Sequence, residues 1–222
     1  MNHLTLVIGN KNYSSWSLRP WIFMKQNQVR FVEKRVALFT DTTREELSEY
    51  NSNYKVPVLN DNGLMVWDSL SILEYISERY LQSSGWPAES SARAVARSVS
   101  CEMHSSFVNV RRELPMNCRK RFRGITLSSA AEKEVERISS IWRQCRSRFG
   151  SAGEWLFGRY SIADAMFAPV ALRFIGYGIT LGDLETQYVN SVLQQPAIVE
   201  WIEAGRQEQE VIEADEIDAQ AV

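Results

Sequence analysis

The first apolar run, Leu4-Thr5-Leu6-Val7-Ile8, closes at Gly9 and reads as a buried strand over residues 4–9. From Ser17 to Gln28 the apolar positions Leu18, Trp21, Ile22 and Met24 fall at helical spacing, with Pro20 early enough for a first turn to tolerate it. Phe31 to Leu38 returns to strand character. Asp41-Thr42-Thr43-Arg44-Glu45-Glu46 then offers two overlapping Thr-x-x-Glu capping boxes, which predict a short helix. Two brief apolar runs follow, Val56-Pro57-Val58-Leu59 and Leu64-Met65-Val66-Trp67. Between them Asn60-Asp61-Asn62-Gly63 supplies residues that accept positive φ, a hairpin signal. Asp68-Ser69 opens another helix, with Ile72, Leu73 and Ile76 on one face and Glu74, Glu78 and Arg79 off it.

The order over about 80 residues is therefore β-α-β-α-β-β-α. A parallel pair joined by a helix needs a right-handed crossover, and the closing hairpin adds an antiparallel edge. Gln82-Ser83-Ser84-Gly85-Trp86-Pro87 has the composition of a linker. Beyond it no convincing strand pattern occurs. Residues 90–114 and 129–148 read as long helices, the second opened by the capping box Ser129-x-x-Glu132. A third runs from Ile162 to Ile175 and a fourth from Ala197 to Glu210. The expected division is an α/β domain over 1–81, a linker over 82–89 and an all-α domain over 90–222. The acidic tail Glu208–Asp218 is expected to fray.

Composition narrows the function. Of 222 residues 45% are hydrophobic and 23% charged, as in a soluble globular protein. A net charge of −2 argues against a general nucleic-acid binder, which needs a basic face to displace counterions. The basic cluster Arg119-Lys120-Arg121-Phe122-Arg123, preceded by Arg111-Arg112, is expected to be a solvated helix end and its loop. No apolar run approaches membrane-spanning length, and no secretory signal pattern opens the chain, so the cytoplasm is the expected compartment. Cys101, Cys118 and Cys145 form neither a disulfide framework nor a metal-ligand pattern. With His3 and His104 the only histidines, a His-based triad or zinc site is not expected.

The stretch Asn12-Tyr13-Ser14-Ser15-Trp16-Ser17-Leu18-Arg19 stands where the first strand gives way to the first helix. A serine there caps the helix, or holds an anion, because a helix N-terminus carries free N–H groups and about half a positive charge. Three further motifs accompany it: Lys55-Val56-Pro57-Val58-Leu59, Asp68-Ser69 and Ser161-Ile162-Ala163-Asp164. Together, in this order and spacing, the four motifs resemble the cytosolic glutathione S-transferase family over nearly the whole chain. The serine stretch is similar to that of its zeta-like and theta-like classes, although Trp16 departs from the small or cysteine residue often found there. The resemblance implies a thioredoxin-like first domain and an all-helical second one.

It also implies roles. Ser14 is the expected thiol-facing hydroxyl of a glutathione site, with Ser15 and Tyr13 as alternatives. Lowering a thiol from a pKa of about 8.5 by about two units takes some 2.7 kcal/mol, within reach of one charge-assisted hydrogen bond plus the helix dipole. Arg19, on the same helix, is expected in a salt bridge or packing contact. Pro57 is expected to be cis, so that Val56 offers its backbone to the cysteinyl part of glutathione. Lys55 is either a partner for the glycyl carboxylate or an ordinary exposed lysine. Ser69 would take the γ-glutamyl carboxylate and Asp68 the ammonium. Ser161 and Asp164 are structural. His104, Phe107, Arg111 and Arg112, placed along one helix facing the cleft, together with Arg173 and Tyr177, are the candidate lining of an electrophile pocket; core or surface roles compete.

The implied activity is transfer of the glutathione thiolate to a small electrophile, with glutathione as co-substrate, no metal, and a homodimer as the assembly. A zeta-like cis–trans isomerase of maleylacetoacetate type stands beside it. That chemistry needs a cation for a distal carboxylate; zeta-like proteins carry an arginine at about Gly176, and Arg173 lies one turn earlier. A non-catalytic interaction protein on the same fold is the rival from another class. A glutaredoxin-like exchanger ranks last, since no cysteine lies in the first domain.

Overall fold

The computed structural model describes residues 4–50 and 53–217, so His3 and Asp218 lie outside the described residues. The first part runs β1 (Leu4–Ile8), α1 (Ser15–Gln26), β2 (Val32–Arg35), α2 (Thr43–Ser48), β3 (Val58–Asp61), β4 (Leu64–Val66) and α3 (Ser69–Tyr80). The sheet order is β2-β1-β3-β4. β1 and β2 pair in parallel with Thr5 opposite Val32, whereas β1 and β3 are antiparallel with Val7 opposite Val58. The hairpin is thus more than an edge, since β3 takes an inner place. Its turn puts Asn62 at φ 52° and Gly63 at φ 97°, the doubly positive geometry that matches strand twist.

β1 is buried on both faces. Leu4, Leu6 and Ile8 join the main core with α1 and α3, while Val7 meets Val36, Leu47 and Val58 on the other side. Two local expectations change here. Pro20 is the sixth residue of α1 rather than part of its first turn, so the helix forgoes one bond to the Trp16 carbonyl. Thr42 caps α2 without a box: its hydroxyl goes to Glu46 Oε1 at 3.0 Å, not to a backbone N–H.

The second part holds α4 (Ser90–Ser105), α5 (Val108–Glu113), α6 (Ser129–Phe149), α7 (Ile162–Gly176), α8 (Asp183–Gln194) and α9 (Pro196–Gln207). The single helix expected over 90–114 breaks at Ser106 and Phe107. Phe107 adopts φ 62° and buries its ring in the core, which turns α5 away from α4. α8 escaped the sequence reading, although Tyr188, Val189 and Val192 mark its buried face. α6 is capped one residue earlier than expected: Ser128 Oγ accepts from the Ala131 amide at 3.2 Å. α7 is buried on nearly every side and is the axis of this part. At its start Asp164 accepts from the Ser161 amide at 2.9 Å, the Ser161 hydroxyl at 3.0 Å and the Leu156 amide at 3.0 Å. Burial outweighs these donors and pushes the Asp164 carboxyl up to about 6.

Over its described residues, 208–217, the tail packs down instead of fraying. Glu208 and Glu216 are both engaged with the first part, and residues 213–215 form a 3-10 turn. Among the described residues no helix is long and apolar enough to cross a membrane.

Losing the Asp164 carboxylate leaves three donors, two of them buried amides, without an acceptor. Asp164→Ala is expected to lower the free energy of unfolding by about 2–4 kcal/mol in urea titrations. Ser128→Ala costs about 1 kcal/mol, and Ser129→Ala, one residue off the cap, changes stability by under about 0.5 kcal/mol.

Candidate functional site at the start of α1

Between β1 and α1 the chain makes a tight loop in which the Tyr13 and Ser14 amides bond back to the Asn10 carbonyl, whereas two amides are satisfied from far along the sequence. Glu208 accepts from the Lys11 amide at 2.8 Å and the Asn12 amide at 3.0 Å. Asn12 Oδ1 in turn accepts from the amides of Cys118 and Arg119 at 2.8 and 3.0 Å. Trp201 on α9 donates from Nε1 to the Lys11 carbonyl at 2.8 Å, and its ring meets Trp21 edge-on at 5.1 Å. α9 approaches so closely that a Cβ on Gly205 would stand 3.0 Å from the Asn12 nitrogen. Asn10 holds the other flank, its Oδ1 accepting from the Leu38 amide at 2.8 Å.

A cavity of about 690 Å³ opens over this loop, walled by the α1 start, the 38–44 segment, the Asn53–Val56 loop, Arg111, Arg173 and the C-terminal residues Ile212 and Asp215. Ser14 caps α1; its Oγ accepts from the Ser17 amide at 3.4 Å and donates to Ser17 Oγ at 2.8 Å. Ser15 Oγ accepts from Arg173 Nη2 at 3.1 Å. Tyr13 also lines the cavity, but its hydroxyl is engaged: it donates to Glu216 at 2.5 Å and accepts from Arg119 at 2.5 Å. Burial, then the Glu216 bond, raise its pKa, which makes phenolate chemistry harder. Trp16 stands beside two guanidiniums, Arg19 at 4.3 Å and Arg111 at 4.7 Å from the ring centre, with the His104 ring edge-on at 5.3 Å.

Comparison with known proteins now has a geometry to meet. Residues 13–79 match the family described as glutathione S-transferase, N-terminal domain. The dichloromethane dehalogenase of Methylophilus leisingeri is 39% identical over 66 residues, 29% of this chain and 25% of that protein. A probable maleylacetoacetate isomerase of Caenorhabditis elegans is 32% identical over 87 residues, 39% of this chain and 41% of that protein. A glutathione transferase homologue from Burkholderia, solved with bound glutathione, shares the fold at a TM-score of 0.71 and 22% identity, over 92% of this chain and 99% of that one. The family match is confined to residues 13–79, while the fold as a whole is the one found in solved glutathione transferases. The chain aligns with a quarter to about two fifths of the length of these curated relatives.

Within this glutathione S-transferase fold the expected residues divide into groups. Ser14, Ser15, Lys55, Val56, Arg111 and Arg173 share the cavity. The Val56-Pro57 bond is cis, and the ladder of β3 with β1 begins only at Val58. Asp68 and Ser69 open α3 beside it. Asp68 caps Leu70 and meets His104 Nε2 at 2.6 Å in an adjoining groove, while Ser69 Oγ is buried without a hydrogen-bond partner. Three pocket candidates move away from the cavity. Phe107 is core, because the α4–α5 break turns it inward. Tyr177 donates to the Pro115 carbonyl at 2.9 Å and stacks on Phe122 at 4.6 Å. Arg112 is surface-exposed on α5.

Among the described residues Arg19 has no salt bridge; it is buried against Trp16, with Nε and Nη1 unpartnered there. Burial, then the charges of Arg111 and Arg173, drive its pKa well down, and Asp68 opposes them. The basic cluster is solvated only in part: Lys120 and Arg123 are exposed, but Arg119 donates to the Glu208 and Glu210 carbonyls and Lys120 pairs with Glu216 at 2.5 Å. Sequence reading missed the apolar walls Leu38, Phe39, Tyr54 and Ile212. Only the exposure of Phe39 at positive φ signals its role, and that is visible in structure alone.

Cutting the Glu208 clamp frees two loop amides. In Glu208→Ala, hydrogen exchange at Lys11 and Asn12 is expected to quicken about five- to tenfold, with α7 amides unchanged.

Proposed function

We propose that this chain binds glutathione along the Lys55-Val56-Pro57 loop, ionises its thiol at the N-terminus of α1, and passes the thiolate to a small electrophile in the same cavity. One observation carries the reading: a single cavity joins the serines at a helix N-terminus, the cis-proline loop and the guanidiniums of Arg44, Arg111 and Arg173. The helix end and the guanidiniums favour an anion, and the useful form of glutathione is the thiolate. Asp68 and Ser69, at the start of α3, would hold the γ-glutamyl end. Leu38, Phe39, Tyr54 and Ile212 give the electrophile an apolar wall. The names of the relatives, a dehalogenase and glutathione transferases, support a glutathione-dependent enzyme. A cytoplasmic, detoxifying role and a homodimer go with this reading. For the dimer, Leu64 and Trp67, about half exposed beside β4, offer apolar area.

Arg111 and Arg173 favour a second chemistry. With Arg44 and Lys55 they give the cavity four cationic side chains among the described residues, which suit a substrate with its own carboxylate, as an isomerase acting on a conjugated diacid requires, and one relative is named a probable maleylacetoacetate isomerase.

Calorimetric titration with glutathione tests the common part. The chain is expected to bind, and Lys55→Ala to weaken binding about two- to tenfold, the modest loss proper to an exposed lysine. Turnover of halogenated electrophiles against maleyl-type diacids then separates the two chemistries. A chain that ignores glutathione would instead be an interaction protein on a transferase fold.

A further inference from the structure

Two serines stand at the start of α1, and their hydroxyls are bonded differently. Ser14 spends its one hydrogen on Ser17 Oγ at 2.8 Å, which also accepts from the Gly9 amide at 3.0 Å. That chain of bonds ties the end of β1 to the first turn of α1, so releasing Ser14 would undo the loop. Ser15 receives a hydrogen instead of giving one, from Arg173 Nη2 at 3.1 Å. Its own hydrogen has no acceptor among the described residues, and Ser15 lines the cavity, so that hydrogen is available to a ligand there. A hydroxyl whose lone pair is held by a cation is also polarised toward donation.

Arg173 itself asks for an anion. Its side chain is buried on α7 and donates to the Leu114 and Arg111 carbonyls, yet no carboxylate lies within ion-pair distance of it among the described residues. Arg111, on α5, lines the same cavity and is equally without a carboxylate partner, Glu134 acting on it only at longer range. Arg19, from α1, adds a third guanidinium with two unpartnered nitrogens. The facing groups are Asp215 on the C-terminal turn, Tyr177 after α7 and Asp68 before α3; none closes an ion pair with Arg173. A buried, unpaired charge is expensive, and an anion placed at Ser15 relieves it.

We propose that Ser15, rather than Ser14, donates the hydrogen bond that holds the glutathione thiolate, and that Arg173 is the positioning residue that aims it. The inference rests on the transferase reading above. The thiol proton leaves to water, Ser15 keeps its own proton, and the sulfur electron pair accepts the Ser15 O–H before it forms a C–S bond, either expelling halide from a halogenated carbon as the C–halogen bond breaks, or adding to a conjugated C=C whose π pair moves onto the adjoining carbonyl.

The test is the thiolate absorbance of glutathione bound to the full chain, titrated with pH. Wild type is expected to ionise the thiol about two units below the free value of about 8.5. Ser15→Ala raises the midpoint by about one unit or more, a tenfold loss of thiolate at fixed pH below it, and Ser15→Thr restores most of the shift. Arg173→Gln raises it in the same direction, with circular dichroism reporting whether the fold survives. Ser14→Ala moves it far less than Ser15→Ala does, whatever it costs in stability. A midpoint that follows Ser14 and ignores Ser15 overturns the proposal while leaving the transferase reading standing, as does a folded Arg173→Gln that titrates like wild type. Should Arg173→Gln not fold, the Ser14, Ser15 pair decides. Failure of wild type to bind glutathione overturns the reading and the proposal together.

Discussion

The site depends on how a short loop between β1 and α1 satisfies its backbone. Residues 10–14 turn sharply while buried, so their N–H and C=O groups need partners that a four-stranded sheet and three helices do not supply. The Tyr13 and Ser14 amides turn back to the Asn10 carbonyl, but Lys11 and Asn12 find their backbone partners in the helical part: Glu208, Trp201 and Cys118. An unmet buried amide costs about 1–3 kcal/mol, so these bonds make the helical part a condition for the loop geometry rather than a neighbour of it. They also explain why the tail, so acidic in sequence, lies down. Its carboxylates have fixed N–H donors and the cations Arg35, Arg119 and Lys120 to meet.

Electrostatics then follow from packing. α7 must be apolar on nearly every side to serve as an axis, yet it carries Arg173 near its C-terminal end, where cations are favoured. Burial pushes that guanidinium down to about 10, still protonated at neutral pH. Arg19 and Arg111 crowd the same region around Trp16, which offers them a ring face instead of a carboxylate. A ring face returns about 0.5–2 kcal/mol, well short of what a buried charge loses on leaving water. The region is therefore stable only because the rest of the fold holds it, and an incoming anion finds its electrostatic partners already in place.

Most of the first part was legible from spacing because its signals are local. The hairpin at Asn62-Gly63, the caps at Ser14 and Asp68, and the alternation in β1 each rest on a few adjacent residues. The second part was legible only in outline. The break at Phe107 is a tertiary effect: the ring is worth more in the core than a continuous helix is, and helical periodicity cannot register that exchange. The same holds for Tyr177, whose aromatic partner Phe122 sits inside a run that reads as basic. Charge composition misled for a related reason. Arg119 and Glu216 look like surface residues until the loop they serve is folded, and nothing within ten residues of either announces that loop.

The serines show the limit most clearly. Motif position ranks Ser14 first, since it caps the helix and heads the stretch. But a cap is a hydroxyl already employed, and a thiolate needs a donor with a hydrogen to give. Which serine has one is decided by Arg173, 158 residues away, whose reach to Ser15 exists only after α7 has packed on α1. A family motif can therefore point to a turn of helix while leaving open which hydroxyl on it has a hydrogen to give. That choice belongs to hydrogen-bond direction, which sequence spacing does not encode.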